Sequence, residues 1–153
     1  MTYDYAYRHD GSKRRAFNRN PALMPGTVDL ILCMFGFPDY GAFATALRPG
    51  GLLLLVDAGP DHLIELRRII YPEVRRNEPP ALTKAEQHGF TPIDSDELKF
   101  QTGELNKEQI ADLLVMTPHL YRATREGKDA AARLETLTLT VDVVFRVLQK
   151  KVV

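Results

Sequence analysis

Polar residues that could bind a substrate follow the end of an apolar run, in "LLLLVDAGPDHL". Asp57 ends the run and His62 opens a helix-like pattern, so both are candidate substrate-binding residues. A histidine there could meet a substrate or a phosphate, helped by the unbonded N–H groups of a helix N-terminus. Alternatively, residues 59–61 are ordinary helix-start chemistry, with Asp61 favoured by the helix dipole and His62 only supporting its neighbours.

A second candidate set lies in "LLVMTPHLYRA". An aromatic ring beside an arginine could stack on an unpaired base, which is how RNA loops are usually read. The alternative is a helix break at the Thr-Pro step, with the tyrosine packed in the core. The candidates are Met116, Thr117, Pro118, Tyr121 and Arg122.

A third set, Phe35, Gly36 and Phe37, follows the apolar run "VDLILCM". In open parallel sheets ligands bind at the carboxyl ends of the strands, so this loop could face a ligand. A plain hydrophobic strand-to-helix turn explains the same residues equally well.

Cysteine and histidine usage argues against metal and disulfide chemistry. Cys33, the single cysteine, lies inside an apolar run and is expected to be a buried thiol rather than a nucleophile. His9, His88 and His119 have no partners at metal-ligand spacing, so we predict no metal site. The start lacks the apolar core of a signal peptide, and no apolar run reaches the ~18 residues of a membrane helix, which favours a soluble, cytoplasmic protein.

Composition indicates a globular domain without a bulk charge. The 153 residues are 44% hydrophobic, and 20 Lys and Arg balance 20 Asp and Glu. A disordered chain and a generally basic nucleic-acid binder are thereby excluded. The first twenty residues are locally basic, which favours a solvated arm over an RNA contact. We divide the chain into an N-terminal strand and basic arm, 1–26, and a domain, 27–153.

The elements that must position the candidates alternate between strand and helix patterns. "TYDYAYR" alternates like a half-buried strand, and "TVDLILCMFGF" and "LLLLVDAG" read as strands buried on both faces. Between the last two, "PDYGAFATALR" predicts a helix capped by Asp39 and ended by "PGG". "PDHLIELRRIIYPEVRR" predicts an amphipathic helix with Arg67 and Arg68 outside.

The remaining patterns complete an α/β order. "NEPPALTKAEQHG" predicts a loop with a short helix, and "FTPIDSDELKFQTGEL" a bent strand or hairpin. "NKEQIADLLVM" predicts a helix capped by Asn106, followed by a turn, another helix and the long closing strand "TLTLTVDVVFRVLQKK". The order β-α-β-α-β-α-α-β predicts a mostly parallel sheet with an antiparallel C-terminal strand and helices on both faces.

Three stretches together resemble one family. The strand with "LRPGG", then "GPDHLIELRRIIYPEV", then "LLVMTPHLYRA" are similar to the C-terminal part of class I S-adenosylmethionine (SAM)-dependent methyltransferases, specifically the bacterial large-subunit (23S) rRNA guanine-N1 methyltransferases. The resemblance covers roughly residues 27 to 150. It implies a partial Rossmann-like sheet, SAM as cofactor near Phe35–Phe37, and an rRNA substrate near the other two candidate sets.

The chain departs from that family in its first half. The family's cysteine-rich zinc module and the glycine-rich loop that cradles the cofactor have no counterpart here. "HDGSKRRAF" is similar to the family's second-strand motif, which implies that Asp10 holds the cofactor ribose, although its spacing is one residue long. The resemblance thus implies a truncated enzyme whose independent activity depends on a completed cofactor site.

Two other functions remain open: a non-catalytic RNA- or protein-binding α/β module, and a small-molecule methyltransferase. A class I sheet without its first half would leave "VDLILCMF" as an apolar edge. We therefore expect a homodimer, or else "TYDYAYR" added as a substitute edge strand. The residue that would remove the guanine N1 proton is not identified by the sequence.

Overall fold

A computed structural model describes residues 24–76, 78–117 and 123–152, and these form an α/β fold. Within these ranges strands and helices follow each other much as the patterns predict. The elements are β1 (Val28–Met34), α1 (Tyr40–Ala46), β2 (Leu47–Ala58), α2 (Ile64–Ile70), α3 (Thr83–Gln87), β3 (Phe90–Gln101), β4 (Leu105–Asn106), α4 (Lys107–Met116), α5 (Arg125–Ala132), β5 (Thr136–Leu137) and β6 (Thr140–Lys150).

The main sheet has four strands in the order β1-β2-β6-β3. Strand β6 runs against β3, because the Lys151 amide after β6 donates to the Gly89 carbonyl before β3, and the Thr102 amide after β3 donates to the Leu139 carbonyl before β6, both at 2.8 Å. Strands β1 and β2 are joined through α1, the connection that parallel neighbours need. The mixed, mostly parallel sheet with a reversed C-terminal strand confirms the predicted fold class. A second ladder pairs β4 with β5, antiparallel.

Two compact units divide the described chain. The first contains the described residues up to Leu55, Ala81–Asp94 and the chain from Arg146. Its core lies under one face of β1, where Ile31 and Cys33 are buried, and takes side chains from α1, α3 and the strands. The largest fully buried members are Phe43, Leu47, Leu53, Phe90 and Leu148.

The second unit contains Val56–Pro80 and Ser95–Phe145. Its core holds Leu66 and Ile70 of α2 against Leu139, with Leu105 and Leu137 from the small ladder packed at its margin. Gly127 of α5 lies directly on the backbone of Ile70, where an added Cβ would overlap the carbonyl group. The two helices therefore approach more closely here than any side chain would permit.

Two helices begin at the N-cap residues that the sequence predicts. The Asp39 carboxylate accepts from the Ala42 amide at 3.1 Å, and Asn106 forms a reciprocal capping box with Gln109, each bond 3.0 Å long. Both predicted N-caps are confirmed.

The end of the first helix differs from the prediction. Helix α1 stops at Ala46, and the segment "RPGG" extends β2 instead of terminating the helix. A Cβ at Gly51 would lie 3.2 Å from the Asp29 carbonyl oxygen, so the glycine permits close approach of the backbone of β1. Proline is tolerated because it stands near the beginning of the strand.

Three further predictions need correction. Strand β1 is buried on one face only, since Leu30, Leu32 and Met34 on its other face are all at least half exposed. Arg67 lies inside rather than outside, because its guanidinium hydrogen-bonds to main-chain carbonyls. The closing segment is two strands, Thr136–Leu137 and Thr140–Lys150, which belong to different ladders.

Candidate functional site

A short turn after β2 is fastened to β6 by a buried carboxylate. In this turn the Gly59 amide donates to the Asp142 carbonyl, and the Asp61 amide donates to the Asp142 carboxylate, each at 2.8 Å. The Asp142 side chain is 8% exposed and packs against the α-carbon of Gly59 so closely that a Cβ there would overlap it. The residues 57–62, which we call the rim, are therefore held in one conformation.

The Asp61 carboxylate is the ionic centre of the rim. It accepts hydrogen bonds from Lys99 at 2.6 Å and from Arg76 at 2.7 Å, and Lys99 also lies 3.7 Å from Asp142. These two bonds, first that of Lys99 and then that of Arg76, lower the pKa of Asp61 from 3.8 to about 2. Asp61 is thus ionised at any physiological pH and its lone pairs serve the two cations.

His62 is held as a neutral imidazole. Burial lowers its pKa, although the nearby Asp142 carboxylate acts in the opposite direction. Its Nδ1 accepts the Asp142 amide proton at 3.3 Å, and in the neutral tautomer that this bond requires the proton is on Nε2. The ring can therefore supply a hydrogen-bond donor at Nε2.

Side chains of helix α2 also stabilise this turn. The buried guanidinium of Arg67 donates to the carbonyls of Pro60 at 3.1 Å and His62 at 3.3 Å, and also contacts the Arg75 carbonyl. Glu65 accepts from the Thr140 hydroxyl at 2.6 Å and its amide at 2.8 Å. Burial would raise the pKa of Glu65, but the bonds from Thr140 outweigh it and the pKa is lowered.

The residue before α2 has an unusual backbone. Leu63 adopts a left-handed conformation with φ of 53°, which a bulky residue reaches only at a cost of roughly 1–3 kcal/mol. Its amide donates to the Thr140 carbonyl at 2.8 Å and its side chain is buried, so the surrounding structure holds it there. No side-chain hydrogen bond caps this helix.

The loop after β1 belongs to the other unit and is also strained. Phe35 has φ of 49°, and a Cβ at Gly36 would lie 3.3 Å from the Cys33 sulfur. Phe35 and Phe37 are 56% and 77% exposed. Two aromatic faces at the carboxyl end of a strand could stack against a planar ligand.

The other predicted residues are distributed differently. Asp57 is half-buried on the rim. Met116 is 83% exposed at the end of α4, and Thr117 bonds back to that helix through its amide and hydroxyl. Four predicted site residues lie outside the described ranges: Asp10, Pro118, Tyr121 and Arg122.

Sequence reasoning missed three members of the rim network. Asp142 could have been noticed as the one acid in the apolar strand pattern "TVDVVF". Lys99 and Arg76 gave no comparable signal, because exposed cations are common in strands and loops. They are 38 and 15 residues from Asp61, so only folding brings them to it.

Neither a metal-ligand cluster nor a membrane span occurs in the described ranges. No three His, Cys, Asp or Glu side chains there are grouped to hold a metal ion. None of the helices described is long and apolar enough to cross a membrane.

Several of the solved structures similar to the chain are methyltransferases by name. A methyltransferase of Bacillus halodurans has a TM-score of 0.47 at 14% identity, with 86% of this chain and 68% of that one covered. The phosphoethanolamine N-methyltransferase 2 of Haemonchus contortus, solved with SAM, has 0.37 at 16% identity, with 85% and 35% covered. Both scores are below 0.5, so the fold class rests on the sheet order described above.

A curated protein of Bacillus subtilis strain 168 carries the narrower name 23S rRNA (guanine-N(1)-)-methyltransferase YxjB. It is 27% identical over 116 residues, which is 75% of this chain and 41% of that protein. The predicted resemblance to the guanine-N1 methyltransferases is thereby confirmed, and the chain spans about two fifths of its relative's length. No family model matches the chain.

Proposed function

We propose that the chain is part of a SAM-dependent methyltransferase that acts on N1 of a guanine in 23S rRNA. The relation to the Bacillus subtilis protein over 116 residues is the observation that carries the proposal. The reaction moves the methyl group from the donor sulfur to guanine N1, and the N1 proton is lost to a base. Because the chain corresponds to 41% of that relative, activity of the chain alone requires a completed cofactor site.

SAM would bind at the loop of Phe35, Gly36 and Phe37. The exposed rings offer stacking faces for the adenine, and Gly36 lets the backbone turn tightly over Cys33. Asp10 would hold the ribose of the same ligand, as the resemblance implies.

The RNA would meet the rim and the exposed end of α4. His62 is proposed to contact the target base from the rim, where its Nδ1 accepts the Asp142 amide proton. The exposed Arg68 and Arg75 nearby in the chain would contact phosphates, which position RNA without reading its sequence. The proposed substrate side also includes Asp57, Met116, Thr117, Pro118, Tyr121 and Arg122.

The proposal includes a cytoplasmic homodimer that needs no metal ion. Ribosomal RNA is made and modified in the cytoplasm of bacteria, and a single buried cysteine, Cys33, fits a reducing compartment. The apolar face of β1 supports association of two copies.

Calorimetric titration with SAM is the first test, followed by methyl transfer to a 23S rRNA hairpin and to small-molecule acceptors. We expect SAM binding, and transfer to the hairpin. Absence of binding at high micromolar SAM would instead identify a non-catalytic binding module. Transfer to small acceptors alone would overturn the rRNA assignment.

The variant His62→Gln tests the rim. We expect RNA methylation to fall about tenfold, the equivalent of one hydrogen bond worth roughly 1.4 kcal/mol, while SAM affinity is kept. His88→Gln is the matched control, because His88 is exposed and bonds to the Lys84 carbonyl at the end of α3. Equal activity of the two variants would exclude His62 from substrate binding.

A further inference from the structure

A buried arginine of α2, Arg67, holds the main chain of the rim. The residue is 9% exposed. Its Nη1 donates to the Pro60 carbonyl at 3.1 Å and to the His62 carbonyl at 3.3 Å. This nitrogen carries two N–H bonds, one for each carbonyl. The rim is thereby held at the residues on either side of Asp61.

The same guanidinium also holds the segment that follows α2. Its Nη2 donates to the Arg75 carbonyl. The next residue, Arg76, donates from its own side chain to the Asp61 carboxylate at 2.7 Å. The chain therefore leaves the rim through α2 and returns to it at residues 75 and 76. Two separate bonds join the returning segment to the rim, one from a buried cation and one from an exposed cation.

This set of bonds suits an arginine and not a lysine. A guanidinium spreads five N–H donors over three nitrogens in one plane, so Arg67 can serve carbonyls of two chain segments together. A lysine has its three donors on a single nitrogen. It would keep the charge at position 67 but lose part of the set.

The bonds of Arg67 end on main-chain oxygens. They fix the backbone of His62 and of Arg75 without using either side chain. His62 is proposed to contact the target base, and the exposed Arg75 is proposed to contact a phosphate. The guanidinium therefore sets the spacing between a residue for the base and a residue for the backbone of the RNA. An RNA that is positioned through its phosphates needs that spacing to be fixed.

Packing alone does not require a charge at this position. Helix α2 already buries Leu66 and Ile70 in the second core. An apolar side chain at residue 67 would avoid the free-energy cost of removing a cation from water. The three carbonyls are neutral and offset that cost less than a carboxylate would. A positioning role accounts for the buried cation, whereas core packing does not.

We propose that Arg67 is a positioning residue, which holds His62 and Arg75 at the spacing that a target base and its neighbouring phosphates require. Because it is buried, it acts through these two residues and does not touch the RNA itself. The inference rests on the proposed function for the identity of the substrate. The placement of His62 by Arg67 can be measured without RNA or SAM.

NMR titration of the His62 imidazole in the full chain measures this placement. Burial is the main cause that lowers the pKa of His62, while Asp142 raises it and the charge of Arg67 lowers it further. Arg67→Lys keeps a cation, so a rise of the pKa toward the ordinary 6.5 would report a rim that has opened to water. We expect that rise. Leu105→Ala is the control, because it removes packing from the margin of the same core, on β4, and should leave the pKa of His62 unchanged.

RNA affinity tests whether Arg67 acts through His62. Fluorescence anisotropy with a labelled 23S rRNA hairpin gives the Kd for Arg67→Lys, for His62→Gln and for the double variant. Each single change should weaken binding about tenfold, the equivalent of one lost hydrogen bond. The double variant should lose much less than the roughly hundredfold of two independent effects, because a displaced histidine has already lost its contact. Leu105→Ala should bind like the unaltered chain.

Three results would overturn the proposal. One is an unchanged pKa of His62 in Arg67→Lys, and another is an equal rise in Leu105→Ala, which would trace the effect to lost stability. The third is a pair of affinity losses that multiply in the double variant. Urea unfolding shows which variants are folded, and Arg67→Gln, whose amide keeps two donors, replaces Arg67→Lys if that variant does not fold.

Failure of the proposed function would look different. An unaltered chain that does not bind the hairpin would overturn the RNA assignment. The His62 titration would still decide whether Arg67 places that residue.

Discussion

At the scale of single residues, the rim depends on one buried carboxylate. Asp142 bonds the amide of Asp61, packs against Gly59 and gives its own amide to His62. The rim is contiguous in the sequence, but its conformation depends on Asp142 of β6. Substitutions in this network should therefore affect stability before they affect chemistry.

Gly59→Ala should destabilise the fold. The added methyl would overlap the Asp142 carboxylate, and separating the two would break the amide bond to Asp61. We expect a loss of about 1–3 kcal/mol, measured by urea unfolding. Gly103→Ala is the control, because nothing lies within 4 Å of a Cβ at Gly103, and its effect should be near zero. Equal losses would contradict the close packing at Gly59.

Acid should remove the stabilisation provided by the Asp61 ion pairs. The pKa of Asp61 in the folded protein, about 2, lies below its ordinary 3.8, so the unfolded chain binds the proton more tightly. The contribution is fully present above pH 3.8 and is lost as the pH falls toward 2.

The measurement compares the unaltered chain with Asp61→Asn by urea unfolding between pH 6 and pH 2. Their difference in unfolding free energy should shrink over the lower half of that range. Asp129→Asn, at an exposed position of α5, is the control and should show a smaller difference. A pH-independent difference for Asp61→Asn would mean that Lys99 and Arg76 do not act on its charge.

At the scale of elements, local signals located most helices but not all of their ends. Asp39 and Asn106 were recognisable as N-caps because a side-chain oxygen three residues before a free amide is a short-range feature. The end of α1 was not, since the Pro-Gly-Gly segment, with φ of 73° at Gly50, belongs to β2, which pairs with β1. Long-range pairing overrode a local turn signal.

Gly127→Ala should weaken the packing of α5 on α2. Helix propensity alone favours alanine by about 1 kcal/mol, but the methyl would overlap the Ile70 carbonyl. We expect a net loss of about 1–3 kcal/mol in urea unfolding. The exposed neighbour Asp129→Ala should change stability by no more than about 0.5 kcal/mol. A stabilised Gly127→Ala would show that the helices can move apart without cost.

At the scale of the whole molecule, charge balance and apolar edges act together. The 20 basic and 20 acidic side chains cancel at neutral pH, while large apolar side chains stay exposed on β1 and β3. Both features favour self-association, the first by removing repulsion and the second by supplying contact area.

Solubility should therefore be lowest near pH 7 and rise on either side. Static light scattering across pH 5.5 to 9 measures it at constant salt. Leu32→Lys should raise the minimum solubility, because it adds a positive charge to the apolar edge. Glu126→Gln, at an exposed position, is the control, because it changes the net charge by the same +1 without altering that edge. An equal gain from both would attribute the effect to net charge alone.

The sequence by itself determined the strand and helix patterns, two caps, the α/β class and the resemblance to the guanine-N1 methyltransferases, because each is carried by neighbouring residues or by a contiguous motif. Only the tertiary structure decided that one face of β1 is exposed, that Arg67 is buried, and that Asp142 and Lys99 meet Asp61. Those contacts join residues 38 to 81 positions apart, and the order of strands in the sheet sets them. No periodicity along the chain encodes that order, so the sequence could indicate the rim but not what holds it.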